Sequence, residues 1–295
     1  MKQLMVVFAI VLAFGSMAIA YEPAGVTYYI GGIADANVPT IDGSVDDWAF
    51  MPRAYYFTGA DFIAREETTV GTGMPGASAH YPNGEVAKDD FDIIAQYIGW
   101  APSTNMYYIG VSVTDSELFF PNEDVGGTWQ EDHIQFLLNA NGEGGNFRTT
   151  DPVCSIGQQW YLTLDPRNAA NPVGFFGAAA GQEWSWVPPF TFNGVQKSAT
   201  GWSLEIGMAL WDYLDVTEAT SVRHTLTAGE TFGGNVHIRD RDADALNDVG
   251  TTMNFADAWT DASLFAAFYM VDPITTGTVA VESSTWGSIK STFSK

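Results

Sequence analysis

A chain of 295 residues with 35 acidic side chains against 12 lysines and arginines carries a formal charge of −23, which disfavours nucleic acid and anionic membrane surfaces as partners and leaves neutral sugars and divalent cations as ligands to consider. A hydrophobic share of 46% with 14% aromatic residues excludes disorder and places the acid load on the surface of a packed core. The single cysteine, Cys154, excludes an intrachain disulfide and is expected to be a buried, inert thiol.

In chain order, Met1-Lys2-Gln3, an apolar run over 4–14 and Ala18-Ile19-Ala20 read as a signal peptide cleaved after Ala20, so the mature protein is expected outside the cytoplasm, secreted or periplasmic. The run is too short for a span of about 20 residues, and no later segment could cross a bilayer. A lead-in over 21–36 precedes one domain over 37–272. Short segments rich in Val, Ile, Tyr, Phe, Trp and Thr recur there between Gly, Pro, Asn and Asp clusters, the pattern of an all-β chain. The clearest strand is 106–118, where Tyr107, Ile109, Val111 and Val113 share one face. Further strands are expected over 132–139, 158–164, 202–208, 234–239 and 264–271. So many short strands fit two packed sheets, an antiparallel β-sandwich. The stretches 71–84 and 167–189 read as loops, and the tail over 273–295, with Trp286, reads either as a docking or sorting segment or as a last strand and a frayed end.

Alternation offers His133 and Gln135 on one face of their strand and Ile134, Phe136 and Leu138 to the core. His237 and Arg239 likewise oppose Val236 and Ile238, so a polar sheet face is expected to line a shallow groove or to stand as a plain solvated surface. Trp48, Trp160, Trp202 and Trp211 occupy strand-like or motif positions and are expected in the core. Trp184 and Trp186 flank a serine before Pro188-Pro189 and would project side by side from an extended loop, an alternative aromatic platform for a sugar ring. Asp240, Asp242 and Asp244 imitate the opening of an EF-hand, but Ala245 stands where glycine is required and Thr251 where a bidentate glutamate should be. Calcium between β-loops, on oxygens from Asp42, Asp46, Asp240 or Asp242, remains as the expectation. Glu205 is the one glutamate in an expected strand interior, and no nucleophile elbow, zinc helix or phosphate loop occurs, so the chain is read as non-catalytic.

Several ordered motifs carry a family resemblance. Ile41-Asp42-Gly43-Ser44-Val45-Asp46-Asp47-Trp48 resembles the opening of family 9 carbohydrate-binding modules and their DOMON-like sandwich relatives. Residues 105–115, 129–136, 201–214 and 235–244 are similar, in order, to later motifs of that family. The resemblance implies a jelly-roll sandwich with calcium ions and a sugar held between two tryptophans, here Trp129 and Trp259. It implies that Gln135 stands where the family carries a sugar-contacting glutamate and Glu205 where it carries a scaffold glutamate. The family's asparagine before the second tryptophan is Ala256 here, with Asn254 nearby. The expected partner is a poly- or oligosaccharide, bound in support of extracellular carbohydrate breakdown and with the tail as a candidate for cell-surface or enzyme-complex association. Two rival readings come with it. One is a haem b electron-transfer domain using His133, His237, Met208 or Met253, although no C-x-x-C-H occurs. The other is a calcium-stabilised surface or adhesion protein.

Overall fold

The computed structural model describes residues 27–61, 91–119, 131–164, 173–175, 181–242, 245–247 and 260–274. Their strands are β1 (Thr27–Ile33), β2 (Tyr56–Phe57), β3 (Asp92–Ala101), β4 (Met106–Thr114), β5 (His133–Asn139), β6 (Gln158–Thr163), β7 (Val173–Phe175), β8 (Thr191–Ser198), β9 (Gly201–Met208), β10 (Trp211–Tyr213), β11 (Val222–Arg223), β12 (Thr231–Asp242), β13 (Ala245–Asn247) and β14 (Ala266–Ile274). The hydrogen-bonded order is β7-β6-β5-β12-β14-β1-β3-β4-β9-β8, with β13 on β12 and β2 on β3.

This path folds on itself as an all-β sandwich. Tyr107, Ile109 and Val111 of β4 and Leu204 and Ile206 of β9 bury one face against Phe136 of β5, Trp160 and Leu162 of β6, and Val236 and Ile238 of β12. The Tyr107 ring meets Phe232 edge-on at 5.8 Å and stacks with Phe268 at 6.5 Å, so the two layers interlock through aromatic side chains. Trp48, Trp160, Trp202 and Trp211 are all buried, as their positions predict.

Two expectations change. The sandwich is not wholly antiparallel, because β1 runs parallel to both β14 and β3 and joins the two layers, pairing with β14 through Tyr28 and Tyr29 and with β3 through Gly31 and Gly32. It also lies within the stretch read as a lead-in, so the domain begins at least ten residues earlier than 37. Its Tyr28 and Ile30 are fully buried, and a strand hydrogen-bonded on both sides cannot be separated from the domain.

The 41–48 motif lies across the outer face of β4, β8 and β9. Gly110 leaves room for Trp48, whose Cε2 would stand 2.9 Å from a Cβ there. Gly43 takes a left-handed φ of +91° and approaches the β8 backbone so closely that a Cβ on Gly194 would fall 2.4 Å from the Gly43 nitrogen. Backbone-on-backbone contact of this kind requires glycine on both sides.

Candidate functional site

The layer β6-β5-β12 turns a polar surface away from the core, and its register fixes the neighbours. His237 lies across from Gln135 and Gln135 from Tyr161; Arg239 lies across from His133 and His133 from Thr163. Directly paired side chains on one face stand close enough to touch a common ligand. Below them Leu137 lies across from Gln159, whose Oε1 accepts a hydrogen bond from the Arg148 guanidinium. Arg148 also covers the Phe147 ring at 5.4 Å, and burial lowers its affinity for its proton. His133 directs Nδ1 at the Glu131 carbonyl at 2.7 Å, which makes Nδ1 the protonated nitrogen, and its ring meets Tyr161 edge-on at 6.1 Å.

Gln135 sits at the centre of this surface, and its environment is not that of a plain solvated face. It is only 6% exposed, and His133, Tyr161, Thr163 and His237 around it are buried too. Among the described residues its side-chain amide makes no hydrogen bond. A primary amide offers two donors and an acceptor, and leaving them idle in so enclosed a place is costly unless a ligand or water takes them up. The face is therefore a largely buried polar surface with a tyrosine, Tyr161, at its edge, and its residue types suit hydroxyls and a ring face.

A second group gathers at the end of the sandwich where β4 and β12 finish and β5 begins. Asp115, Asp132 and Asp240 are all buried, with one carboxylate oxygen from each within 4.8 Å of the others. Asp115 is held by the Trp202 indole, Nε1 donating to Oδ2 at 3.1 Å, and accepts the Glu117 amide on Oδ1 at 3.0 Å. Asp132 accepts the Phe119 amide at 2.6 Å. Three carboxyls this near one another and out of water are accommodated by protonation or by positive charge among them, and an all-oxygen donor set suits a hard divalent cation. Asp115 belongs to one layer of the sandwich and Asp132 and Asp240 to the other, so a cation there would pin the layers together.

Two further titratable groups serve the scaffold. Glu205, fully buried on β9, accepts the Trp48 indole N–H at 2.7 Å on Oε1 and the Asp42 and Gly43 amides at 3.0 Å each on Oε2. Burial pushes its carboxyl up to about 7 despite those three donors, with Asp47 adding to the rise. The glutamate is thus the anchor of the 41–48 motif, as the resemblance implies. His224 is held between carboxylates, Nδ1 at 2.6 Å from Asp212 and Nε2 at 2.8 Å from Glu230. Burial alone would lower its pKa, but the two acids raise it to about 9.

The structure brings Gln135 together with His133, His237 and, by register, Arg239; the Arg239 and Asp242 side chains lie outside what is described. Trp129, Trp259, Asn254, Ala256, Met253, the loop over 71–84, the signal peptide and the tail beyond Ile274 also lie outside the described residues, while Pro273 and Ile274, expected in the tail, complete β14. This carboxylate group contains Asp240 but neither Asp42 nor Asp46. Asp42 instead turns Oδ1 to the Ser44 amide, 2.8 Å away, in a local turn against β8. Asp115 and Asp132 escaped selection although each carries a legible signal, an aspartate at the end of an alternating strand and one just before the next. The paired platform of Trp184 and Trp186 is not formed. Their stretch, Glu183–Trp186, is a 3-10 turn rather than an extended chain, and Trp184 packs edge-on at 5.2 Å from Phe190 and 5.1 Å from Trp211, with its indole N–H buried. Met208 is buried in the sandwich core, whereas His133 and His237 face away from that core, so these cannot bind one haem from two sides.

No family model matches the sequence, and no curated protein matches it. Two solved structures share its fold: a family 9 carbohydrate-binding module from Caldicellulosiruptor kristjanssonii in complex with cellotriose, and one from the same organism in complex with glucose. The first has a TM-score of 0.50 and 14% identity over 86% of this chain and 97% of that one. For the second the values are 0.50 and 15%, over 85% and 97%. The likeness is one of fold, spanning nearly the whole of each module.

Proposed function

We propose that this chain is an exported, non-catalytic carbohydrate-binding protein that holds a sugar unit of a poly- or oligosaccharide on the outer face of β5, β6 and β12 and so supports extracellular carbohydrate breakdown. The observation that carries this reading is the Gln135 amide, largely buried, without a hydrogen bond among the described residues, and set between histidines and a tyrosine. Sugar hydroxyls need such rim groups, while C–H patches of the ring pack on aromatic faces. Trp129 and Trp259 are proposed as the rings that enclose the sugar. The shared fold with modules whose complexes hold cellotriose and glucose supports the same ligand class.

Calcium is proposed for Asp115, Asp132 and Asp240, whose carboxylates would hold it. A bound ion would supply fixed positive charge between the layers and thereby set the angle at which β5 and β12 present the polar face. Affinity electrophoresis against a panel of neutral and acidic polysaccharides, repeated with Trp129→Ala and Trp259→Ala, tests the binding reading. Retardation by at least one polysaccharide, lost in either variant, is expected. Retention in both variants would remove the tryptophan clamp, and no retardation by any polysaccharide would remove carbohydrate binding.

A further inference from the structure

We infer that the sandwich encloses an ordered water molecule at Gln96 of β3, bound by the side-chain amide between the two layers; the inference is independent of the carbohydrate-binding reading. Register is its starting point. Past the shift at Ile94, Gln96 lies across from Val111 of β4 on one side and Phe57 of β2 on the other, and both of these belong to the main core. Ile98 and Trp100 follow on the same face of β3. Gln96 therefore points between the layers, and it is fully buried. In that place neither Nε2 nor Oε1 has a hydrogen-bonding partner among the described residues. Other deep polar groups of the sandwich are treated differently. Glu205 receives three N–H donors, and the Asn139 amide donates to the Ile156 carbonyl and to Asn141 while accepting the Gly144 amide. Among the fully buried side chains described, Gln96 is the one amide with both ends unmet. Leaving either end so forfeits the hydrogen bonds that solvent supplied in the unfolded chain. An apolar side chain of the same size would carry no such cost, so a glutamine here is explained by a partner that accompanies it.

Water is the occupant that this chemistry selects. The amide offers donors and an acceptor, and a water molecule answers both with one oxygen and two hydrogens. Ile93, Ile98, Val111 and Phe57 on the same side are apolar and uncharged, so nothing there would compensate an ion. Position supplies the remaining partner and the way in. The register shift leaves Ile94 outside the β3–β4 ladder, β2 pairs with β3 only at Gln96 and Tyr97, and β1 only at Gly99 and Trp100. The backbone at the shift is thus the part of β3 with the fewest ladder neighbours, as at a bulge. Ile94 is 50% exposed, so bulk solvent reaches β3 two residues from Gln96, and a local opening at the shift suffices for exchange.

The test is NMR on the folded, isotope-labelled protein with the Gln96 side-chain amide assigned. Laboratory-frame and rotating-frame Overhauser spectra selected on the water signal read whether a water proton lies beside that NH2 group and whether it stays. Cross-peaks of opposite sign in the two spectra are expected, the mark of a bound water; exchange of the amide protons themselves would give equal signs. Gln96→Met then removes both ends of the amide at nearly the same volume. Oxygen-17 relaxation dispersion should count at least one long-lived internal water fewer in the variant, with its melting temperature moved by no more than a few degrees. A native spectrum without a bound-water cross-peak at the Gln96 amide would overturn the inference, and that spectrum decides alone should the variant fail to fold. An equal count of long-lived waters in a folded variant would also overturn it. So would a rise of about 10 °C in the melting temperature of the variant, the response of an amide that had no partner.

Discussion

Glu205 offers a perturbation whose size follows from its surroundings. Its carboxyl is fully buried beneath the 41–48 motif, and its pKa rises from 4.5 to about 7 in the folded protein. A group held more tightly protonated in the fold contributes stability that is complete below the unfolded value and is lost as pH rises through the folded one. At about 1.4 kcal/mol per pH unit, that loss is about 3 kcal/mol between pH 4.5 and about 7, equivalent to on the order of 10 °C of melting temperature for a domain of this size. Glu205→Gln removes the titration and keeps the side-chain shape, although its NH2 group must then face donors from Trp48 or from Asp42 and Gly43. Urea denaturation of both proteins, followed by tryptophan fluorescence across this range, isolates the effect, because other carboxylates cancel in the difference. The stability advantage of the native protein over the variant should shrink by about 3 kcal/mol as pH rises. A difference that stays constant with pH would refute the assignment of the titration to Glu205.

Other consequences can be measured alongside it. The ion pairs of His224 with Asp212 and Glu230, which raise it from 6.5 to about 9, should be fully present below the lower value and lost as pH rises through the higher. His224→Gln should therefore cost about 2 kcal/mol near neutrality, a figure reduced for the partial exposure of both acids, and almost nothing at strongly alkaline pH, as read by denaturant titration. Gly194→Ala would drive a Cβ into the Gly43 backbone and should lower the melting temperature markedly, by about 3 kcal/mol or more, with the 41–48 motif displaced. Chelation should lower the melting midpoint of the native protein and leave that of Asp132→Asn nearly unchanged; an unshifted native midpoint would remove calcium from Asp115, Asp132 and Asp240.

The strand interiors with strict alternation were readable in the sequence: β4, β5 and β9 fall within a few residues of their expected bounds, and every core tryptophan named from them is buried. β3 lacks that regularity because adjacent Ile93 and Ile94 straddle a register shift, leaving Ile94 at 50% exposure. β8, an edge strand with Gln196, Lys197 and Ser198 exposed, shows little apolar periodicity. β1 was hidden by Gly31 and Gly32 and by its parallel pairing, which only the fold defines. The polar face was legible in its direction but not in its depth, since alternation reports which way Gln135 points and not what encloses it. Of the aspartate cluster only Asp240 stood out in the sequence; the other two come from strand ends 17 residues apart in sequence, and proximity of that kind is a property of the sandwich. The His224 pairing joins Asp212 on β10 with Glu230 just before β12 and left no spacing signature.

The central claim is that the largely buried polar surface around Gln135 receives a sugar. Titration of Gln135→Ala with whichever oligosaccharide the unaltered protein binds most tightly addresses this directly, because the side chain makes no hydrogen bond among the described residues and its removal should leave the fold intact. A loss of tenfold or more in affinity, on the order of 1.4 kcal/mol, with an unchanged melting temperature is the predicted result. Unchanged affinity in the variant would place the ligand elsewhere on the molecule and contradict the account.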